Sequence, residues 1–212
     1  MKYQFFIRSL VDTKQLSPVY DACNSGKVEE IVCTSGILGE IVDEVPRNKI
    51  IAIVDYPHGH SSFYAREGDV QYCIEMGIKQ IELPINCDSI LSGESLCIAE
   101  EFNSLYSDAA KKGAIIKPII DYRLILNNTK HNYFADLVYF LQDQISMDAI
   151  TINTGYVADY LDENVKLCSE LKEKGIQPTT FREIYDTDDI ISLQKHAYRL
   201  RISSIRSLKL IK

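Results

Sequence analysis

Apolar and polar positions along this chain follow two rhythms. Short apolar or β-branched runs, bounded by turn residues, recur at Gln4–Arg8, Glu30–Thr34, Ile50–Tyr56, Gln80–Asn86, Ile115–Tyr122, Ala149–Gly155, Gln177–Ile184 and Arg199–Ser203. Each reads as a strand. Between them lie helix-like stretches with clear punctuation. Ser17-Pro18 reads as an N-cap followed by proline at the first helical position, with Gly26 closing that helix. Ser62–Met76 ends at Gly77, Ser95–Lys112 at Gly113 and Asp162–Lys174 at Gly175. In each case the glycine suits the left-handed position just past a helix, and a strand follows within a few residues.

Eight strands spaced by roughly 20 to 35 residues predict a single compact (β/α)8 barrel over residues 1–212, shorter than the about 250 residues typical of this architecture. A doubly wound open sheet gives the same alternation. It lacks support, because no G-x-G-x-x-G dinucleotide fingerprint occurs in the chain. The tail after Ser204, IRSLKLIK, is expected to form only a short last helix.

Composition narrows the function without naming it. The 212 residues are 46% hydrophobic and 25% charged, proportions of a globular domain with a sizeable core. No apolar run approaches the roughly 18 to 20 residues of a membrane helix, and the first residues, MKYQFFIRSLVDTK, do not read as a secretory signal. A cytoplasmic, soluble protein without a membrane partner is expected. The net charge of −7 argues against binding to duplex nucleic acid, which needs a concentrated basic surface. The six cysteines (Cys23, Cys33, Cys73, Cys87, Cys97 and Cys168) include no C-x-x-C pair, so they read as reduced thiols, several of them in the core.

Strand alternation indicates which side chains face inward. Glu82, Pro84 and Asn86 share one face of their strand, Lys117, Ile119 and Asp121 one face of theirs, and Thr151 and Asn153 one face of the sixth. Ile53 and Asp55 pair likewise. The outer face of a barrel strand is apolar because helices cover it, so these polar residues are expected to point to the axis, near the strand ends where this fold places its chemistry. A buried ammonium requires a partner, so Lys117 is expected to contact Glu82 or Asp121. Glu82 and Asp121 read as an acid–base pair or as the groups that hold Lys117. His58 and His60 flank Gly59 on the loop after the third strand. Two histidines at that spacing are a weak metal signal, so turn-stabilising or ligand contacts are expected of them and no metal or cofactor is predicted. Cys33 reads as a small packed residue rather than a nucleophile.

These residues resemble a known family. Asp55-Tyr56-Pro57-His58-Gly59, then Glu82-Leu83-Pro84-Ile85-Asn86 and Leu91-Ser92-Gly93, followed by Ile116-Lys117-Pro118-Ile119-Ile120-Asp121, look like the G-F-P-H-G, E-I-D-M-V-I-N, L-K-S-G and L-K-V-I-I-E-T segments of deoxyribose-phosphate aldolases. Val32-Cys33 matches that family's V-C-V strand. The likeness is good from about Val28 to Tyr122 and implies a (β/α)8 barrel with a small carbonyl or sugar-phosphate ligand. The departures fall on the chemistry. Thr151 stands where the family's V-K-T-S-T-G strand carries its Schiff-base lysine. Thr179 stands where K-A-S-G-G-I supplies a second lysine, and Arg182 and Glu183 replace its glycines. The terminal G-T-S-S-G loop becomes Arg201-Ile202-Ser203-Ser204-Ile205, keeping the serines.

Threonine cannot form an iminium ion, so the family reaction cannot run by the family route. The resemblance, with the inward polar residues, yields a candidate catalytic set of Lys117, Glu82 and Asp121. The candidate ligand contacts are Asp55, His58, Asn86, Thr151, Asn153, Thr179, Arg182, Ser203 and Ser204, the arginine offering a fork for an anion. The competing readings are a non-catalytic relative that binds a metabolite or partner protein, and a lyase or isomerase working by acid–base chemistry alone. A homodimer, formed as in many barrels through outer helices, is left open.

Overall fold

The computed structural model describes residues 2–7, 13–120, 140, 150–151, 169, 173, 178–181 and 204–207. Eight parallel strands close into a barrel in sequence order: β1 (Lys2–Ile7), β2 (Glu30–Thr34), β3 (Ile50–Ile53), β4 (Gln80–Pro84), β5 (Ile115–Ile119), β6 (Ile150–Thr151), β7 (Pro178–Phe181) and β8 (Ser204–Ser207). Closure comes from β8 pairing with β1, Ser204 opposite Lys2 and Arg206 opposite Gln4. The described helices are α1 (Thr13–Asn24), α2 (Leu38–Ile41), α3 (Phe63–Glu75), α4 (Cys87–Leu91) and α5 (Ser95–Lys111).

Where burial is described, in β1 to β5, both strand faces are largely buried, as a barrel wrapped in helices requires. The outward residues Ile31, Cys33, Ala52, Val54, Ile81, Leu83 and Ile116 form one core with Val70 and Cys73 of α3 and Ile98, Phe102, Leu105 and Ala109 of α5. That spacing on α5 is the apolar stripe of a helix lying on a sheet. The inward residues Phe6, Val32, Ile51, Ile53 and Ile119 form a second, separate cluster inside the barrel.

The glycine punctuation is met in three places. Gly26, Gly77 and Gly113 follow α1, α3 and α5 with φ of 81°, 83° and 71°. Ser62 caps α3, its Oγ accepting from the Ala65 amide at 3.4 Å. The expected helix after Ser17-Pro18 begins a turn earlier, at Thr13, and carries Pro18 inside it. Proline there, the sixth of twelve residues, leaves one carbonyl of the preceding turn without its intrahelical donor, a loss that proline at the first helical position would not cause. The expected eighth strand, Arg199–Ser203, lies outside the described residues; Ser204–Ser207 is a strand, where a short helix is expected from the sequence. Its register against both β1 and β7 decides this, a long-range pairing that outweighs local pattern. Short helices also occupy the β2–β3 and β4–α5 connections, at α2 and α4, where no helix is foreseen from the sequence. The helix expected over Asp162–Lys174 lies outside the described residues.

Candidate active site

The barrel interior is layered. At the amino-terminal ends of the strands, Gln4 Nε2 donates to Glu30 Oε2 at 2.8 Å, Gln80 Nε2 donates to Glu30 Oε1 at 3.3 Å, and Lys117 Nζ donates to Gln80 Oε1 at 3.2 Å. Gln4 and Glu30 are buried. Two amide donors satisfy a carboxylate that has been withdrawn from water. Above this polar floor sits the apolar cluster of Phe6, Val32, Ile51, Ile53 and Ile119. Tyr56 covers it, its ring edge-on to Phe6 with centroids 5.3 Å apart and planes at 86°.

Glu82 and Lys117 are register partners on β4 and β5, and Ile53 on β3 is the opposite neighbour of Glu82. Glu82 is 1% exposed. Alternation therefore places Glu82 and Lys117, two of the three catalytic candidates, on the interior face. Lys117 is expected to contact Glu82 or Asp121, and Asp121 lies outside the described residues. Among the described residues, the polar partner of Lys117 is the neutral amide of Gln80. A four-carbon stem is longer than the spacing between neighbouring strands, so the ammonium passes its neighbour on the same rung and reaches the rung below.

At the carboxyl ends of the strands, the loop after β3 is built around Asp55, a non-glycine residue at φ 57°. Its carboxylate accepts from Ser61 Oγ at 2.7 Å and Ser61 N at 3.0 Å, and lies 3.5 Å from Arg66 Nε. Arg66, on α3, is 1% exposed and also pairs with Glu101 of α5 and donates to the Pro84 carbonyl at 2.6 Å. One buried guanidinium thus ties the ends of β3 and β4 to two helices. Burial lowers the Arg66 pKa, opposed by Glu101 and Asp55, and burial raises the Glu101 pKa, opposed by Arg66. Both shifts have the same cause: desolvation exceeds what the pair returns.

Asp55 and Asn86 therefore shape the barrel mouth. Asp55 anchors its loop, and Asn86 Oδ1 caps α4 by accepting from Asp88 N at 2.9 Å and Ser89 N at 3.2 Å. Gly59 has φ 70°, and a Cβ on it would lie 2.6 Å from the Pro84 carbonyl oxygen, so only glycine lets this loop meet the end of β4. His58 is half-buried, and its carbonyl accepts from Cys87 N at 3.3 Å. Its ring stands 5.5 Å from that of His60, whose Nε2 is 3.6 Å from Asp88 Oδ2 at the surface.

In β6, Thr151 lies opposite Ile119 and Thr180. Thr180 is in turn opposite Ser204 of β8, so the register row runs through Thr180, with Thr179 one position before it. Asp121, Asn153, Arg182 and Ser203 lie outside the described residues, as does Cys168. Cys23, Cys33, Cys73 and Cys87 are buried and Cys97 is exposed. Burial pushes the Cys73 thiol up to about 12 and raises that of Cys33 as well, so both are packing groups at neutral pH. A cavity of about 320 Å³ lies on the outside of the barrel between α3 and α5, lined by Tyr64, Gln71, Ile74, Leu105 and Lys112.

Four residues of this architecture were not singled out from the sequence: Arg66, Gln80, Glu30 and Gln4. Signals for them exist. Arg66 falls on the stripe of α3 that also carries Phe63, Val70 and Cys73, a charge where an apolar residue belongs. Gln80 extends the alternating set of Glu82, Pro84 and Asn86 by one step.

No protein-family model matches the chain, and no curated protein matches it. Solved structures do. The chain superimposes on an aldolase, QR15, with a TM-score of 0.77 at 12% identity, over 97% of this chain and 89% of that one. A deoxyribose-phosphate aldolase from Aeropyrum pernix, described as tetrameric, gives 0.71 at 14% identity, over 98% and 85%. The N-acetylmannosamine-6-phosphate 2-epimerase from Clostridium perfringens gives 0.62 at 16% identity, over 97% and 86%. The shared fold is the (β/α)8 barrel. At these identities the likeness is one of fold, and function rests on the site.

Proposed function

We propose that this barrel takes a small carbonyl compound, of the sugar-phosphate class, at the carboxyl ends of its strands, and that Lys117 is its amine nucleophile. The observation that carries this reading is the register pairing of Glu82 with Lys117 on the interior face, a carboxylate and an amine on adjacent strands of a barrel. The fold shared with aldolases and with a sugar-phosphate epimerase supports the ligand class. With Thr151 in the place that the resemblance gives to the family lysine, the amine chemistry moves to β5.

In this reading the uncharged Lys117 amine adds to the ligand carbonyl, and the carbinolamine hydroxyl takes a proton from solvent and leaves as water to give an iminium ion. The iminium draws electrons from the neighbouring carbon, whose proton passes to the Glu82 carboxylate or, as the second base, to Asp121. His58, Thr151, Asn153 and Thr179 contact the ligand, and Arg182 holds its anionic end; Ser204 opens β8 opposite Lys2, at the amino-terminal ends of the strands and away from the mouth. Asp55 and Asn86 contribute through the shape they give the mouth.

The test is reductive trapping. The full chain is incubated with glyceraldehyde 3-phosphate, acetaldehyde or propanal and then treated with borohydride, and its peptides are read by mass spectrometry. A secondary-amine adduct on Lys117, absent from Lys117→Met, supports the reading. No adduct with any of the three overturns it. A second reading, a barrel that binds without turnover, is favoured by the Lys117–Gln80 hydrogen bond, which holds the amine toward the amino-terminal end. It predicts a raised melting temperature with glyceraldehyde 3-phosphate and no adduct.

A further inference from the structure

The floor of the barrel carries more than packing. Lys117, Gln80, Glu30 and Gln4 form one chain of hydrogen bonds across β5, β4, β2 and β1, with links of 3.2, 3.3 and 2.8 Å. Within it Gln80 has a fixed orientation. Its Oε1 accepts from the Lys117 ammonium while its Nε2 donates to the Glu30 carboxylate, so the amide dipole lies between a cation and an anion, negative end toward the cation. A flipped amide would oppose both charges.

From this geometry we infer that Gln80 is a positioning residue for Lys117: a tether, oriented by Glu30, that parks the amine at the amino-terminal end of the barrel and limits its reaction with a carbonyl compound at the other end. The inference rests on the reading of Lys117 as the reactive amine and specifies what restrains it. The stem of Lys117 starts level with Glu82. Rotation about its side-chain bonds carries the amine from Gln80 toward the carboxyl ends, and that movement breaks the hydrogen bond to the tether. The charged groups bearing on the amine from the described strands are Glu82 on the same rung and Glu30 behind Gln80. Gln80 is the neutral link that sets the strength of the hold, and exchanging it should alter reactivity in either direction.

The experiment is competitive reductive methylation of the full chain with formaldehyde and cyanoborohydride, read peptide by peptide. The free amine condenses with formaldehyde, water leaves, and hydride from the reagent with a proton from solvent completes the methylamine. Exposed Lys111 and Lys112 serve as internal references. Gln80→Met removes the acceptor and is expected to raise Lys117 labelling about fivefold, the scale of one hydrogen bond. Glu30→Gln leaves Gln80 without its orienting anion and is expected to raise it less. Gln80→Glu substitutes a direct ion pair and is expected to lower it. Loss of packing alone would raise labelling in both Gln80 variants, so opposite signs are diagnostic.

Unchanged or reduced labelling in Gln80→Met, or increased labelling in Gln80→Glu with native circular dichroism, overturns the tether. Formaldehyde needs no binding pocket, so this outcome is independent of trapping by the larger aldehydes. If those leave no adduct while the Gln80 pattern holds, the carbonyl function falls and the tether stands.

Discussion

Arg66 Nε lies 3.5 Å from Asp55 Oδ2, a cation on α3 set against a left-handed residue in the loop after β3. With Glu101 and the Pro84 carbonyl as its other partners, the guanidinium is surrounded. Such a group is worth most when it is removed, because the anions it leaves behind stay buried. Arg66→Met is expected to destabilise the fold by about 3–5 kcal/mol. Urea unfolding followed by circular dichroism measures this. A loss under about 1 kcal/mol would mean that water replaces the guanidinium freely.

The Glu101 side of that cluster predicts a pH dependence. Its pKa is raised above the ordinary 4.5, chiefly by burial, so the folded state binds its proton more tightly than the unfolded state. Stability from this group is fully present below the unfolded pKa and is lost as pH rises through the folded one. Urea midpoints of the wild type should therefore decline, relative to Glu101→Gln, as pH climbs from 4.5. Parallel curves for the two proteins would show that the Arg66 charge cancels the effect of burial on Glu101.

The barrel itself was legible from the sequence because strand and helix rhythms differ sharply, and because glycines mark three helix ends. The interior set was legible wherever polar residues interrupt an aliphatic alternation, as Glu82 does between Ile81 and Leu83. Two kinds of information were not local. The position of β8 depends on Ser204 and Arg206 meeting Lys2 and Gln4, partners some 200 positions away in the chain. The tasks of Asp55 and Asn86 depend on Ser61, Arg66 and the amides of Asp88 and Ser89, and only the folded loops bring these groups together. A carboxylate at a strand end looks the same in sequence whether it faces a ligand or a guanidinium.

Gly59 sets the path of the loop bearing His58. A methyl group there would meet the Pro84 carbonyl at 2.6 Å and the Asn86 amide at 2.9 Å, on a residue at φ 70°. Gly59→Ala is expected to cost about 2–3 kcal/mol from left-handed strain and displaced backbone together. Chemical denaturation reads the cost. A neutral effect would show that the loop lifts off β4 at little expense.

Thiol chemistry should sort the cysteines by burial. Cys33 and Cys73 are fully buried with raised pKa values, whereas Cys97 is exposed. Maleimide labelling of the native protein at pH 7, mapped by peptide, is expected to modify Cys97 within minutes and to reach Cys33 and Cys73 only in denaturant. Rapid native labelling of Cys33 would contradict its packing between β2 and α3 and revive it as a nucleophile.

Lys117→Met separates chemistry from architecture. The side chain is half-buried, and among the described residues its polar link is to a neutral amide, so losing it strands no direct ion-pair partner among them. Methionine keeps most of the apolar stem within the barrel wall. The expected stability change is about 1 kcal/mol or less, which for a domain of this size moves the melting temperature by about 2–4 °C. Aldehyde adducts at this position should vanish while the fold persists. A drop beyond about 3 kcal/mol would identify Lys117 as a structural cation, one whose charge Glu30 needs through Gln80, and the search for the reactive group would then turn to the groups around Glu82.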